Sequence, residues 1–421
     1  MIDGIRFCRE TEFKETPIGK IPTDWNVQEL GDESIADIIA GQSPPSSTYN
    51  KENRGLPFLQ GKMEFGEMFP SPTTYCLEPI KIAKKNDVLL SVRAPVGDVN
   101  IAPSECCIGR GLAAIRAKVD KLNHLFLFYY LKLKGKRFEA LSTGSTFKAI
   151  RIHEIEKFSI PVPSVEEQRV VVGVLGVVDS AIGLVDRVIW NTERLKKGLM
   201  QELLTKGIGH TEYKDAPIGK IPNEWEVDTL PNLMNIIDYR GRTPPFSESG
   251  IPYIGSNNIR NEKVVFESRR YVSEETYDKY MTRGIPTPGD ILFTTEAPLG
   301  EVALVPKNLK FCFAQRLVAL QCKNNDFHSP FFMYMLRSKT VQRQLTDWAT
   351  GTTVKGISAK NMKFIKVPYS KDKQEQQRIA DVLSTVDQKL ELERKEKARL
   401  ERVKRGLMDL LLTGKVRVKV D

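Results

Sequence analysis

The sequence has few of the residues that build metal or redox centres. Its six cysteines, Cys8, Cys76, Cys106, Cys107, Cys312 and Cys322, form no Cys-x-x-Cys pair, and its four histidines, His124, His153, His210 and His328, do not cluster with them. That spacing argues against a zinc site. In a reducing compartment the cysteines read as buried thiols. No apolar run is long enough to span a bilayer, and the first residues, MIDGIRFCRETEFKE, are polar and unlike a signal peptide. A cytoplasmic location is therefore expected. Catalytic signatures are missing as well. There is no Gly-x-x-x-x-Gly-Lys-Ser/Thr loop to cradle phosphate, no Gly-x-Ser-x-Gly and no His-Glu-x-x-His. The Asn-Pro-Pro-Tyr motif with which nucleic-acid amino-methyltransferases hold a flipped base is also absent. Gly109-Arg110-Gly111 is a lone glycine pair ahead of a strand and reads as a tight turn.

What is present is an ordinary globular composition, 41% hydrophobic and 28% charged over 421 residues, with room for two or more domains. The net charge of +10 points to a polyanionic partner.

Residues from Val165 to Thr205 contain no proline and no run of turn residues. Val171, Leu175, Val178, Ile182, Val185, Ile189, Leu199 and Leu203 follow steps of three and four on one heptad frame, with Thr192 and Lys196 as its polar members. A stripe at this spacing faces a partner helix. At about 1.5 Å per residue, some forty residues make a rod of about 60 Å, too long to hide its stripe inside one small domain. The partner is expected in the same chain. Ile379, Leu383, Val386, Leu390, Leu400, Leu407 and Leu411 repeat the frame, with Glu393, Lys397 and Lys404 as the polar members. Val171 matches Ile379 and Leu203 matches Leu411 at one constant separation.

The rest of the chain is duplicated too. Pro17-Ile18-Gly19-Lys20-Ile21-Pro22 and Trp25 recur as Pro217-Ile218-Gly219-Lys220-Ile221-Pro222 and Trp225. Pro44-Pro45 recurs as Pro244-Pro245, Ala94-Pro95-Val96-Gly97 as Ala297-Pro298-Leu299-Gly300, and Gly144-Ser145-Thr146-Phe147-Lys148 as Gly351-Thr352-Thr353-Val354-Lys355. Each half is thus one globular domain followed by one long helix. The boundaries fall at 1–164 and 209–371 for the domains, 165–208 and 372–414 for the helices, and 415–421 for a tail. Within each half, Gly-Lys-Ile-Pro reads as a turn leading to a strand. Residues 87–92 and 290–295, and 112–115 and 317–320, read as strands, while Leu125 to Leu133 and Pro330 to Leu345 read as helices. Ile160-Pro161-Val162-Pro163 and Val367-Pro368 close the domains. Strand runs with separate helices make each domain α+β.

Two near-equivalent heads on a rigid spacer suit a ligand read at two places. If that ligand is duplex DNA, the heads would address half-sites about one turn, 34–36 Å, apart. Basic residues would contact phosphates, and arginine, lysine, asparagine and glutamine on loops would read bases. The candidates are Gln42, Ser43, Gln60, Lys62 and Arg93 in the first half and Arg240, Arg242, Asn257, Asn258 and Arg260 in the second. For each the alternative is a solvated surface loop. Lys148 and Lys355, in the repeated Gly-Ser/Thr-Thr loops, are either phosphate contacts or parts of a repeated structural turn.

These words together resemble the specificity (S) subunit of Type I restriction-modification systems. Those that carry the resemblance are Pro-Ile-Gly-Lys-Ile-Pro-x-x-Trp, Ala-Pro-x-Gly, Gly-Ser/Thr-Thr, and helices of the form Glu-Gln-x-Arg-Ile…Val-Leu…Asp…Gly-Leu-Met-x-x-Leu-Leu-Thr. The resemblance covers nearly the whole chain. It implies two tandem target-recognition domains separated by two long antiparallel coiled-coil helices, in a pseudo-twofold arrangement, that read a bipartite DNA sequence. It also implies a subunit without catalytic activity or cofactor of its own, recruiting two methylation subunits and the restriction subunits. S-adenosylmethionine, ATP and Mg would belong to those partners. Gln168, Arg169, Gln377 and Arg378 are candidates for the docking surface, with helix capping and charge balance as the alternative. One residue more separates Arg169 from Val174 than Arg378 from Val382, so one helix start is expected to be shifted or bulged. Two other functions stay open: a coiled-coil scaffold joining two protein partners, and a DNA methyltransferase with an unrecognised site.

Overall fold

A computed structural model describes residues 5–142, 148–266 and 270–420. The chain divides into two compact units, Met1–Asp186 with Lys395–Asp421, and Arg187–Arg394. Each long helix therefore contributes residues to both units.

The first unit is built on an antiparallel four-stranded sheet in the spatial order Val99–Ile101, Val88–Ser91, Leu112–Ala117, Ala36–Ala40. Every residue of Val88–Ser91 is buried because both faces of the sheet are covered. Successive side chains point to opposite faces. Val88 and Leu90 join a core with Phe126, Tyr130 and Leu175, while Leu89 joins another with Leu59, Cys106 and Ala114. The second core lies under a five-stranded sheet of short strands in which Leu56–Leu59 runs parallel to Cys106–Ile108. The second unit repeats this plan. Its four-stranded sheet runs Met234–Asp238, Leu317–Cys322, Ile291–Thr294, Val302–Leu304, and Ile251–Ile254 runs parallel to Cys312–Phe313 beside it. Ile291 and Phe293 face one core and Leu292 another. Cys76, Cys106, Cys107 and Cys312 are buried, Cys8 and Cys322 half-buried, and all six are free.

Several local expectations change. Gly19–Pro22 and Gly219–Pro222 are strands in their own right, each in a hairpin with the residues before it. The Pro-rich closing segments are strands as well, Ser159–Val162 pairing with Asn26–Glu29 and Lys366–Ser370 with Trp225–Thr229. The helix read over Pro330 to Leu345 is two helices, Ser329–Arg337 and Lys339–Asp347. Ser338 breaks it, its hydroxyl accepting from Val341 N at 3.3 Å as an N-cap. Its counterpart in the first unit is one helix, His124–Leu141, capped by Asn123. The tail is not loose: Val416–Val420 pairs with Ile5–Arg9.

The long helices run Val165–Lys206 and Lys373–Leu411. In the first unit, Asp179 pairs with Lys404 and Asp186 with Lys397, so partner numbers fall as helix numbers rise. In the second, Glu193 pairs with Arg394 at 2.7 Å. The segments are thus antiparallel within the first unit. Val171, Leu175, Ile182, Ile379, Leu383, Leu390 and Leu411 of the heptad frame are buried.

One polar network appears twice. Asp179 accepts the Tyr129 hydroxyl at 2.6 Å and faces Lys404, which also lies 3.8 Å from Glu67; Glu67 in turn meets Lys132 at 3.2 Å. In the second unit, Asp387 accepts the Tyr334 hydroxyl at 2.7 Å and pairs with Lys196 at 2.7 Å. Lys196 pairs with Glu262 at 2.9 Å, and Arg337 lies 3.5 Å from Glu262. Burial and then the aspartate push both tyrosine hydroxyls well above their ordinary pKa. Lys196 and Lys404 are therefore polar for a reason: each ties the long helices to a loop and a helix of the globular domain, whereas Lys397 pairs with Asp186 on the facing helix.

The helix starts carry a second repeated tie. Trp25 Nε1 donates to Glu167 at 3.0 Å and Trp225 Nε1 to Glu375 at 3.1 Å. Asn123 N donates to Gln168 at 2.7 Å and His328 N to Gln376 at 2.8 Å. Glu167 thus matches Glu375, and Gln168 matches Gln376. No bulge is needed, since both helices are continuous: the matched residue for Arg169 is Gln377, not Arg378. The third partner of the carboxylate differs between units. Arg417 joins Glu167 to Glu10 and Asp24 in one, and His210 joins Glu375 to Glu224 in the other.

Candidate nucleic-acid interface

In the first unit the backbone gathers four loops around the Gly109-Arg110-Gly111 turn, which links Cys106–Ile108 to Leu112–Ala117. Gln42 N donates to Ile108 O at 3.0 Å, Gly109 N to Leu59 O at 2.8 Å, and Val92 N to Gly111 O at 2.9 Å. Ala94 N donates to Lys148 O at 3.0 Å, and Arg93 bridges to Ala149. Gln42, Gln60, Arg93, Arg110 and Lys148 are thereby carried on one connected set of loops, and all five are exposed. The close approach explains the glycines. A β-carbon on Gly41 would lie 2.2 Å from Gly109 O, and one on Gly111 would lie 2.4 Å from Gln60 O. Ser43 is half-buried and its hydroxyl accepts from Arg110 N at 3.2 Å, so it shapes the turn. Lys62 is exposed on the next turn and paired with Asp98. Lys148 lies 3.9 Å from Glu139. The glycine loop 144–147 ahead of it lies outside the described residues.

The second unit repeats part of this platform, the links among the turn, the strand-end loop and the closing loop, with different side chains. Thr295 N donates to Arg316 O at 2.8 Å and Ile357 N to Thr295 O at 2.9 Å; Glu296 bridges to Gly356 where Arg93 bridges to Ala149. A cleft of about 470 Å³ opens here, lined by Arg240, Glu296, Gln315, Arg316, Thr350 and Gly356 among others. Sequence reasoning passed over Gln315 and Arg316. The signal was present in the duplicated Cys-x-x-x-x-Leu word, which places Gln315 at the position of Arg110 and Arg316 at that of Gly111.

Two candidates of this unit are committed to the fold instead. Arg240 is half-buried; its guanidinium engages both oxygens of Asp238 and donates to Ile357 O at 2.9 Å. Burial would raise the Asp238 carboxyl, yet the Arg240 hydrogen bonds hold it below its ordinary value. Asn258 is buried, its carbonyl accepting from Gly255 N at 3.0 Å and its amide donating to Val265 O at 2.7 Å. It locks the loop that presents Asn257 and Arg260, both exposed. Arg242 is exposed and stacks over Tyr280 at 5.2 Å, and Lys355 is exposed beside the cleft.

The docking candidates also separate. Gln168 is fully buried, accepting from Asn123 N and donating to Lys121 O and Pro163 O, so it cannot present itself to a partner. Arg169, Gln377 and Arg378 are exposed on the first turns of the long helices.

A model of the family described as Type I restriction modification DNA specificity domain matches residues 22–189 and 222–402. The chain belongs to this family. Its two matched segments each hold one platform and one Trp–Glu tie. The type I restriction enzyme MjaVIII specificity subunit of Methanocaldococcus jannaschii is 27% identical over 426 residues, covering 100% of this chain and 99% of that one. A protein provisionally described as the MjaX specificity subunit, from the same organism, is 49% identical over 193 residues, which is 46% of this chain and 45% of that one. In fold the chain is similar to the S subunit of a type I restriction-modification system from M. genitalium, with a TM-score of 0.57 at 19% identity over 92% of this chain and 96% of that one. Among the described residues, no helix is long and apolar enough to cross a membrane.

Proposed function

We propose that this chain is the DNA sequence-specificity subunit of a Type I restriction-modification complex. Each unit reads one half of a bipartite DNA target, and the helix pair fixes the gap between the halves. The observation that carries this reading is one set of backbone links built twice, with different polar side chains on the loops they join: Gln42, Arg93 and Arg110 on one, Arg242, Glu296, Gln315 and Arg316 on the other. Duplicated scaffolding with unlike tips suits a protein that reads two unlike sequences. Its exposed arginines, lysines and glutamines are the chemistry of phosphate and base-edge contacts.

The chain itself performs no catalysis in this reading. Two methylation subunits supply the adenine chemistry with S-adenosylmethionine, and restriction subunits bring ATP and Mg. Arg169, Gln377 and Arg378 form part of the surface on which the methylation subunits dock. The complex works in the cytoplasm.

The test is selection from a randomised duplex library by the full chain assembled with its methylation subunits. Enrichment of two short motifs at a fixed gap is expected, with affinity falling steeply as salt rises. Salt-insensitive association with no sequence preference would instead support a protein scaffold and end this reading.

A further inference from the structure

We infer that Gln315 and Arg316 are the specificity-determining pair of the second unit, reading purine edges in one half of the DNA target; this rests on the DNA-recognition reading above. Both residues lie in the left-handed region, at φ 36° and φ 56°. Residues with a β-carbon are disfavoured there, and glycine meets such a backbone without penalty. Two consecutive long side chains at such positions are backbone strain kept at one place, of the kind that gathers at binding sites. The first unit makes the matching turn, Gly109-Arg110-Gly111, with none of the three residues in the left-handed region, so this conformation is particular to the second unit.

Fold stability does not account for the pair. Arg316 Nε reaches Glu296 at 2.7 Å, but the two side chains are 48% and 37% exposed, and ion pairs so open contribute little. Gln315 donates to the exposed Thr243 hydroxyl. The other arginine of the cleft wall, Arg240, is held by Asp238 and Ile357 O, so it shapes the cleft while Gln315 and Arg316 are free to exchange partners. A carboxylate and a hydroxyl parked on these groups occupy the donors that a base would engage. Arginine presents a planar fork that matches guanine O6 and N7, and glutamine matches adenine N6 and N7. The ligand is therefore a purine edge in the major groove.

Arg316→Gly, Gln315→Gly and Arg316→Lys test this in the full chain assembled with its methylation subunits, by selection from a randomised duplex library. Glycine accepts the positive φ, so the R316G chain is expected to melt at or above the wild-type temperature, which separates lost reading from lost folding. R316G is expected to reduce discrimination at one base pair of one half-motif roughly ten- to a hundredfold and to leave the other half-motif unchanged. R316K should not restore it, because lysine lacks the fork. Q315G is expected to relax a neighbouring base pair of the same half-motif. An unchanged motif in R316G and Q315G, or equal weakening on every sequence with a shallower salt dependence, would overturn the inference while leaving the parent reading intact. Absence of any two-part motif with the wild-type chain would overturn the parent reading itself.

Discussion

Asp179 and Asp387 each accept a tyrosine hydroxyl and face a lysine, yet Arg93 in one unit stands where Glu296 stands in the other. The first pair sits where the globular domain meets the long helices, and the second sits at the loop tip. Matched chemistry at the helices ties each domain to the long helices in the same way. Unmatched chemistry at the tips is what two different target sequences require. The repeated glutamate, glutamine, tyrosine and lysine ties therefore belong to scaffolding.

The largest effect should come from breaking the repeated tie. Asp179→Ala or Asp387→Ala leaves a lysine and a tyrosine hydroxyl short of their partner, at a cost of about 2–4 kcal/mol each. Urea denaturation should show similar losses for the two variants. A neutral Asp387→Ala beside a costly Asp179→Ala would break the equivalence of the units.

The loop tips should respond with opposite signs. Gly111→Ala drives a methyl group to 2.4 Å from Gln60 O and should cost about 1–3 kcal/mol. Arg316→Gly relieves a left-handed backbone and should be neutral, or stabilise by up to about 1 kcal/mol. Thermal melts of the two variants check this.

Acid should act on each unit through its own carboxylate. Backbone hydrogen bonds at Glu12 and the Arg417 side chain lower Glu10 from 4.5 to about 2. Burial opposes ionisation of Glu375, but hydrogen bonds from Ser370, Ile208, His210 and Trp225 hold it below 4.5. A lowered carboxylate stabilises the fold fully above its unfolded value and loses that contribution as pH falls through the folded one. Stability should therefore decline below about pH 4.5, and less steeply in Glu375→Gln and Glu10→Gln. Parallel acid-denaturation curves for wild type and variants would contradict the assignment.

The smallest effect on stability should come from Arg169→Ala, Gln377→Ala and Arg378→Ala, within about 0.5 kcal/mol, because all three are exposed. Assembly with methylation subunits, measured by sedimentation, should nonetheless weaken. Unchanged assembly would remove these residues from the docking surface.

Much of this organisation was legible in the residues. The heptad frames gave both long helices, and the Pro-Ile-Gly-Lys-Ile-Pro and Ala-Pro-x-Gly words gave the duplication. Lys196 and Lys404 stood out as polar members of an apolar frame, but their partners were hidden because Asp387, Glu262, Asp179 and Glu67 come from distant segments. Gln168 read as exposed because its motif was matched one residue out of register; its burial follows from the Asn123 and Pro163 loops that close over it. Arg240 and Asn258 carried the right chemistry for reading DNA, yet Asp238 and Val265 claim them, and only tertiary structure decides between such partners. Gln315 and Arg316 were passed over because their place shows only when the Cys-x-x-x-x-Leu words of the two halves are matched, and the left-handed backbone there leaves no mark of its own in the sequence.

Mapping the methylated sites of a genome modified by the complex tests the central claim most directly. A split motif, two short sequences separated by a fixed number of unspecified base pairs, is the expected result. A seven-residue insertion in both long helices should lengthen that gap, because it keeps the apolar stripes in register and adds about 10 Å. One contiguous motif, or a gap unmoved by the insertion, would contradict a protein that reads DNA at two places set apart by its helices.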